Sequence, residues 1–358
     1  MALSFNIRYA VIIIESVNKL PGPQATALRN ISLHVMKDEA LAILGRAGAG
    51  KSMLLRCINM LVRPDSGRVV VDGRDFSALS GHELRLAQRE IGMVFDRDNL
   101  LPNRTVRDNI ALPLEFKGSH NVEIRAQLDM LINLLDLDEI EHLYPSEIAR
   151  VQRQRIAIAR ALATTPKVLL CDDITSGLDS EDTKTILSLL KVINAAFGVT
   201  LVLVSKDLQV VKDIADRVAV LDQGELVELG STFDVLTKTA HQVTQSLVRS
   251  ATRCEIPEFL KGRIGTSRSA GEHLVIRITF TGPAANEPII SEMVRRFNLS
   301  FNILYGHIEY IQGAPYGSLA VETSGSEGAK QAALDFLRAN NLKVEILGRV
   351  DAPDHAPA

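Results

Sequence analysis

Apolar residues along the chain recur at two different spacings, and the switches between them mark out its organisation. Over residues 9–73 the spacing is that of strands: the run 9–15, then Ile31, Leu33 and Val35 alternating with Ser32 and His34, then 68–71 ahead of Asp72-Gly73. Successive side chains leave opposite faces of a strand, so this alternation predicts a half-buried antiparallel sheet. Leu41-Ala42-Ile43-Leu44 is apolar without alternation and predicts a strand covered on both faces. Residues 83–160 carry helical periods with breakers at Pro102, Pro113, Gly118 and Pro145, a helical subdomain inserted between core strands. The core resumes with the apolar run 168–172, a helix over 181–197, a strand over 200–204, and a hairpin over 217–229 turning at Gln223-Gly224.

A second pattern follows. Residues 236–267 start helical and become polar and irregular, as a linker would. Beyond them the order is strand (274–280), helix (288–297), strand (303–311), strand (316–322), helix (327–340) and strand (343–347). That βαββαβ order predicts a ferredoxin-like α+β domain over 268–350, a ligand-sensing or a dimerisation domain, since the fold by itself assigns no role. The chain therefore divides into an α/β domain over 1–235, the linker, the βαββαβ domain, and a tail over 351–358 whose prolines and small residues predict disorder.

Between the buried strand and a helical run beginning Met53-Leu54-Leu55 stands Gly45-Arg46-Ala47-Gly48-Ala49-Gly50-Lys51-Ser52, the pattern G-x-x-x-x-G-K-S. Glycines there let backbone N–H groups close around phosphates at a helix start, where the helix dipole is positive. Lys51 is then placed for the β- and γ-phosphates, and the Ser52 hydroxyl for Mg²⁺. A Gly-rich strand-to-helix turn can also arise from packing alone, but Lys-Ser and the flanking elements are what a nucleoside triphosphate site requires. The run 168–172 ends in Asp172-Asp173, the form of a Mg²⁺-directed aspartate at a strand end; a helix N-cap is the alternative for such an acidic pair.

Composition narrows the setting. The 40 basic and 43 acidic residues give a net charge of −3, which offers no basic field for nucleic acid. Three cysteines, Cys57, Cys171 and Cys254, are too few and too scattered for a disulfide framework and suggest a reducing compartment. The short apolar stretch near residue 10 predicts a strand rather than a signal peptide, and no run reaches the length of a membrane span. The eight histidines show no metal-type clustering. The arginines of 150–160 predict a solvated helix face with some core contacts.

The phosphate loop, the run 154–162 (Gln-Arg-Ile-Ala-Ile-Ala-Arg-Ala-Leu), Asp172 and Ser176-Gly177-Leu178-Asp179 together resemble the ATP-binding subunits of ABC transporters. Within them the chain is most similar to the bacterial methionine importer subunit. Cys57-Ile58-Asn59-Met60-Leu61, Ile91-Gly92-Met93-Val94-Phe95, Asn99-Leu100-Leu101, the segment 109–115 and Tyr144-Pro145-Ser146 carry that likeness, as does the ferredoxin-like domain, ACT-like in that family and sensitive to methionine. The resemblance implies ATP and Mg²⁺ as cofactors, held by 45–53 and Asp172, with Ser52, Asp172 and Asp96 toward the metal. It implies a homodimer that sandwiches two ATP molecules between each phosphate loop and the other subunit's signature helix. Asp179 lies at that contact. It further implies a membrane permease as partner, a substrate-binding protein acting indirectly, methionine at the C-terminal domain, and a peripheral place on the cytoplasmic face of the inner membrane.

Several family positions differ here. Ile148-Ala149-Arg150-Val151-Gln152 stands where the signature Leu-Ser-Gly-Gly-Gln is expected, without its hydroxyl or its glycines. Asp96 replaces the glutamine that serves Mg²⁺ and the attacking water. Asp173 replaces the glutamate that polarises that water, one methylene short of it. Lys206 replaces the switch histidine, a point charge in place of a neutral imidazole. Met53 stands beside the α-phosphate in place of a hydroxyl residue, and Leu20-Pro21 where an aromatic would stack on adenine. The family hydrolyses ATP to drive transport. The expectation for this chain is retained ATP binding with impaired hydrolysis in an importer subunit. The alternatives are a non-hydrolysing ATP-binding regulatory protein with an amino-acid-sensing domain, and a soluble ABC ATPase of translation or repair, which usually joins two such domains in one chain.

Overall fold

The computed structural model describes residues 9–21, 27–239, 241–251, 273–281, 287–340 and 342–350. Their contacts separate two compact units, one running to Val235 and taking in 241–247, the other holding 236–239 and the described residues from Val248 onward. Helix α8 (Thr232–Lys238) crosses into the expected linker and α9 (Gln242–Ala251) lies within it; residues 252–267 of that linker and the expected tail lie outside the described residues.

The first unit opens with β1 (Ala10–Lys19), β2 (Leu28–Met36), β3 (Ala40–Leu44), α1 (Lys51–Ile58), β4 (Ser66–Val71), β5 (Arg74–Asp75), α2 (Gly81–Gln88) and β6 (Ile91–Val94). Helices α3 (Val106–Lys117), α4 (Asn121–Leu134) and α5 (Arg150–Leu162) follow. It closes with β7 (Val168–Asp172), α6 (Ser180–Phe197), β8 (Thr200–Ser205), α7 (Leu208–Ile214), β9 (Arg217–Asp222) and β10 (Glu225–Ser231). Two sheets result. The alternating strands form the antiparallel sheet β2-β1-β4-β5, and the continuously apolar ones form the order β10-β9-β3-β8-β7-β6, parallel except at the β9–β10 hairpin. All five residues of β3 are buried, as are all of β7 and β8. Strands covered on both faces are apolar throughout because no side chain reaches water.

Two expectations change. Residues 91–94, inside the stretch expected to be helical, form the edge strand β6, so the helical insert begins only after it. Its apolar run is too short to distinguish strand from helix by period. Pro113 does not break α3 but lies inside it. An interior proline costs about 3 kcal/mol, yet Val106, Ile110 and Leu114 are buried along the same helix and each contributes about 1.5–3 kcal/mol. The helix ends instead at Gly118, which takes the left-handed conformation at φ 77°.

The second unit contains β11 (His273–Thr281), α10 (Ile289–Phe297), β12 (Ser300–Ile311), β13 (Ala314–Ser324), α11 (Glu327–Ala339) and β14 (Lys343–Val350). Its sheet runs β12-β13-β11-β14 with every neighbour antiparallel, the ferredoxin-like arrangement. Ile276, Ile278 and Val321 of the sheet pack with Ile289, Met293, Leu334 and Leu337 of the helices to form its core.

Candidate nucleotide site

The phosphate loop leaves the end of β3 and enters α1, as its sequence requires. A β-carbon at Gly45 would collide with the Leu221 carbonyl oxygen of β9, and Gly50 holds φ 102° as the N-cap of α1. Both positions therefore exclude larger residues. Lys51 folds back over the loop, its Nζ donating to the carbonyl oxygens of Gly45 at 2.8 Å and Arg46 at 2.9 Å. Burial pushes the Lys51 ammonium below its usual range, with Asp173 and Asp172 opposing that shift and Lys206 adding to it. A half-buried cation at a helix start is a seat for an anion. Ala47 and Gly48 are exposed, Ala49 is buried, and Arg46 donates to Ser246 Oγ at 2.6 Å.

Ser52 Oγ donates to Asp172 Oδ1 at 2.6 Å, although the two residues lie 120 positions apart. Asp172 is 2% exposed, with the Arg56 guanidinium 3.6 Å from its other oxygen. Burial raises its pKa, while Ser52 and Arg56 hold it down and Asp96 and Asp173 raise it further. Asp172 ends a strand and caps no helix; the N-cap is Asp179, whose carboxylate accepts from the N–H groups of Glu181 and Asp182. A hydroxyl and carboxylates make a hard oxygen donor set. No group of three or more metal-ligating side chains occurs among the described residues, so a Mg²⁺ ion here would complete its shell with phosphate oxygens and water.

Asp173 adopts the left-handed conformation, at φ 48°, and its N–H donates to the Val204 carbonyl at 3.1 Å. Its carboxylate lies 3.6 Å from Lys206 Nζ, which also donates to Ser176 Oγ at 3.3 Å. Asp96 follows β6, and one of its oxygens accepts from the Arg97 N–H at 2.8 Å. Thus Lys51, Ser52, Asp172, Asp173, Lys206 and Asp96 form one cluster joined by hydrogen bonds, an ion pair and mutual electrostatic influence.

The signature segment is placed otherwise. Ile148 is buried, Ala149 precedes α5, and Gln152 Oε1 accepts from the Ala149 N–H at 3.0 Å. Arg150 donates to the Ser176 carbonyl at 2.6 Å, and Val151 packs partly against the helical core. Among the described residues no hydrogen bond or ion pair joins 148–152 to the chain's own phosphate loop. Met53 turns into the core shared by the two sheets, and Leu20, 72% exposed, offers no aromatic platform.

Some contacts carried no signal in the sequence. Arg56 reaches Asp172 from one helical turn beyond Ser52. Arg153 and Arg160, in the run expected to be a solvated face with some core contacts, grip the loop after β6: Arg153 pairs with Asp98 at 2.9 Å, and Arg160 donates to the carbonyls of Asn99 and Asp98 at 2.9 and 2.8 Å. Burial lowers the Arg160 pKa. Buried Asn109 exchanges hydrogen bonds with Leu101 and donates to Arg104 and Thr105 carbonyls, fixing the same loop from α3. Next to that loop a groove of about 600 Å³ is lined by Arg85, Phe95, Asn99, Leu112, Pro113 and Phe116.

Residues 28–176 match the family model described as ABC transporter, and residues 274–346 match that of the NIL domain. The methionine import ATP-binding protein MetN of Rhodospirillum rubrum is 51% identical over 351 residues, covering 97% of this chain and all of that protein. The chain belongs to the methionine import ATP-binding protein family. MetN 1 of Burkholderia lata, another member, is 48% identical over 331 residues, 92% of this chain and 96% of its own length. A dimeric structure of the ATP-binding cassette MJ0796 in a post-hydrolysis state with ADP and Pi superposes with a TM-score of 0.57 at 32% identity, covering 62% of this chain and 98% of that one. The cbiO1 protein of Clostridium perfringens, part of an ABC transporter complex, gives 0.59 at 26% identity over 64% of this chain and 91% of its own. Membership in this family accounts for both units, since one matched model falls in each. No helix among the described residues is long and apolar enough to cross a membrane.

Proposed function

We propose that this chain is the ATP-binding, energy-coupling subunit of a methionine-type importer, that it holds Mg·ATP, and that it hydrolyses it slowly. The observation that carries the slow turnover is the Asp173–Lys206 pair at 3.6 Å. Gly45, Gly48 and Gly50 supply the backbone cradle, Lys51 the charge for the terminal phosphates, and Ser52 with Asp172 the protein ligands for the metal. Mg²⁺ bound there would neutralise phosphate charge and polarise the bond to be broken. The weak step is proton acceptance from water. A base must reach the nucleophile within hydrogen-bond distance, and Asp173 is short and already paired with an ammonium. Asp96 accepts hydrogen bonds but donates none, so it cannot orient that water as a glutamine amide does.

In a homodimer every composite site carries the same departures. Arg150 and Val151 stand where close backbone approach to a partner's nucleotide is needed, which slows closure further. The groove beside Asn99 and Pro113 suits a short helix from a membrane permease, with Phe95, Leu112 and Phe116 as its apolar floor. Steady-state phosphate release and ATP affinity, measured together on purified protein with Lys51→Ala as control, test the proposal. Tight Mg·ATP binding with slow release supports it; release at ordinary transporter rates, silent in the control, overturns it.

A second reading is favoured by a cavity of about 550 Å³ in the C-terminal unit, between the start of α10 and the β12–β13 hairpin. Ile289, Ile308 and Leu319 give it an apolar wall, and Glu287, Ser291 and His307 give polar groups, a lining suited to an amino acid with an apolar side chain such as methionine. In that reading the chain is a regulatory protein that senses an amino acid. Calorimetry with methionine on the full chain tests the cavity, and co-purification with a membrane permease separates the two readings.

A further inference from the structure

The turn after β7 is held from two sides by cations that do not touch each other. Arg150, the first residue of α5, donates to the Ser176 carbonyl at 2.6 Å. Its guanidinium lies against Gly177, where a β-carbon would sit 2.7 Å from Arg150 Nη1 and 3.0 Å from Cζ. Gly177 has φ 74°, so the backbone conformation and the absent side chain both serve this contact. From the other side Lys206 Nζ donates to the Ser176 hydroxyl at 3.3 Å and pairs with Asp173 at 3.6 Å. The turn closes on itself through the Ser176 N–H, which donates to the Asp173 carbonyl at 3.0 Å. Ser176 thus receives Arg150 on its main chain and Lys206 on its side chain. A cation at a helix start runs against the helix dipole, so the Ser176 carbonyl is the group that holds the guanidinium there.

We propose that Arg150 is a positioning residue: by fixing the turn at Ser176 and Gly177 it sets, through the Ser176 hydroxyl, how firmly Lys206 is held beside Asp173. A third phosphate in the nucleotide site recruits Lys206 only by drawing it away from Ser176 and Asp173. Arg150 therefore lowers the preference for ATP over ADP. The second statement rests on the reading that the loop 45–52 holds nucleotide; the first does not.

The test uses the full-length protein and an acylating N-hydroxysuccinimide ester, with Lys206 and Lys117 modification followed by peptide mass spectrometry without nucleotide. Lys117, exposed at the end of α3, is the internal reference. Arg150→Ala and Ser176→Ala are each expected to speed Lys206 acylation about two- to fivefold, the protection that an exposed ion pair with one hydrogen bond gives. Because both act through one chain of contacts, the double variant should be no faster than either single. Arg150→Lys, which keeps a donor for the carbonyl, should restore part of the protection. An unchanged Lys206 rate in Arg150→Ala, or effects of the two substitutions that multiply, overturns the proposal. Acceleration of Lys117 alongside Lys206 marks general loosening and also counts against it. Should Arg150→Ala fail to fold, Ser176→Ala and Arg150→Lys decide. The ratio of ADP to ATP dissociation constants, measured with Mg²⁺, is expected to rise about two- to fivefold in Arg150→Ala and likewise in Ser176→Ala, which leaves the signature segment unaltered. An unchanged ratio with accelerated labelling removes only the nucleotide consequence, and absence of any nucleotide binding removes the reading of the loop while leaving the positioning role intact.

Discussion

Ser52 and Asp172 share a 2.6 Å hydrogen bond at the junction of α1 and β7, with the aspartate buried and the serine on the phosphate loop. Ser52→Ala leaves the fold in place but removes an oxygen from the donor set proposed for Mg²⁺. Mg²⁺-dependent ATP affinity is expected to fall about 10- to 100-fold, the worth of a hydrogen bond to a charged group, while metal-free affinity changes little. Titration with a fluorescent nucleotide, with and without Mg²⁺, reads the difference; an equal loss in both would show that Ser52 serves the loop and not the metal.

On the proposal that the Asp173–Lys206 pair slows hydrolysis, restoring reach and removing the ammonium should speed it. Asp173→Glu with Lys206→His is expected to raise single-turnover ATP cleavage about 10- to 100-fold above the unaltered chain, part of what a general base supplies. The single substitutions should give less, because each leaves one fault. No increase in the double variant, with nucleotide still bound, would put the block at the signature segment instead.

At Gly45 a methyl group meets the Leu221 backbone carbonyl, which cannot move without disturbing β9. Gly45→Ala should cost about 1–3 kcal/mol in urea unfolding. Nucleotide binding is expected to be lost with it, since the loop would have to leave its seat against β9.

Glu327 supplies the pH dependence. Its two oxygens face Arg349 at 2.8 and 2.7 Å, with Lys330 at 3.0 Å, and Arg349 followed by Lys330 holds its pKa down at about 2. A carboxylate with a depressed folded value stabilises above its unfolded pKa of 4.5 and loses that contribution as pH falls through about 2. Solvent screening limits it to about 0.5–1 kcal/mol. The stability gap between the unaltered chain and Glu327→Gln should be full at pH 6 and close between pH 4.5 and 2. The chain has no tryptophan, so circular dichroism is the suitable probe. A gap that persists at pH 2 would assign the effect to packing.

Burial pushes the Cys57 thiol up to about 11 and the Cys171 thiol higher still. Both should resist thiol reagents in the native protein at pH 8 and react fully in urea. Rapid native modification of either would mean that the core around α1 or β7 opens.

Where the period of the sequence was long, or its composition unambiguous, the fold was legible. The alternation around Ile31, Leu33 and Val35 gave the antiparallel sheet, and the continuous runs at 41–44 and 168–172 gave parallel strands. Ile91–Val94 was not, because four apolar residues fit either element and only pairing with β7 decides. Pro113 misled because local propensity yields to the packing of Ile110 and Leu114. At the candidate site, motifs singled out Lys51, Ser52 and Asp172, which the fold brings together, since phosphate chemistry restricts those residue types and their spacing. Arg56 carried no motif, and Ser176 and Asn109 stood in segments that marked the family without marking the contacts they make. Each acts through a contact set by the fold, and an arginine, a serine or an asparagine alone carries no such information.

The order of strands in the central sheet also fixes when the protein can become competent during synthesis. β3, which launches the phosphate loop, has β8 and β9 as its neighbours, so a chain that has emerged only as far as α5 has the loop's residues but none of that strand's partners. At about 5–20 residues per second, roughly ten to forty seconds separate translation of β3 from translation of β9. Until β8 is translated, most of that interval, the nascent chain carries an apolar strand with no edge to pair with. ATP cannot help it fold until the C-terminal third of the first unit has arrived.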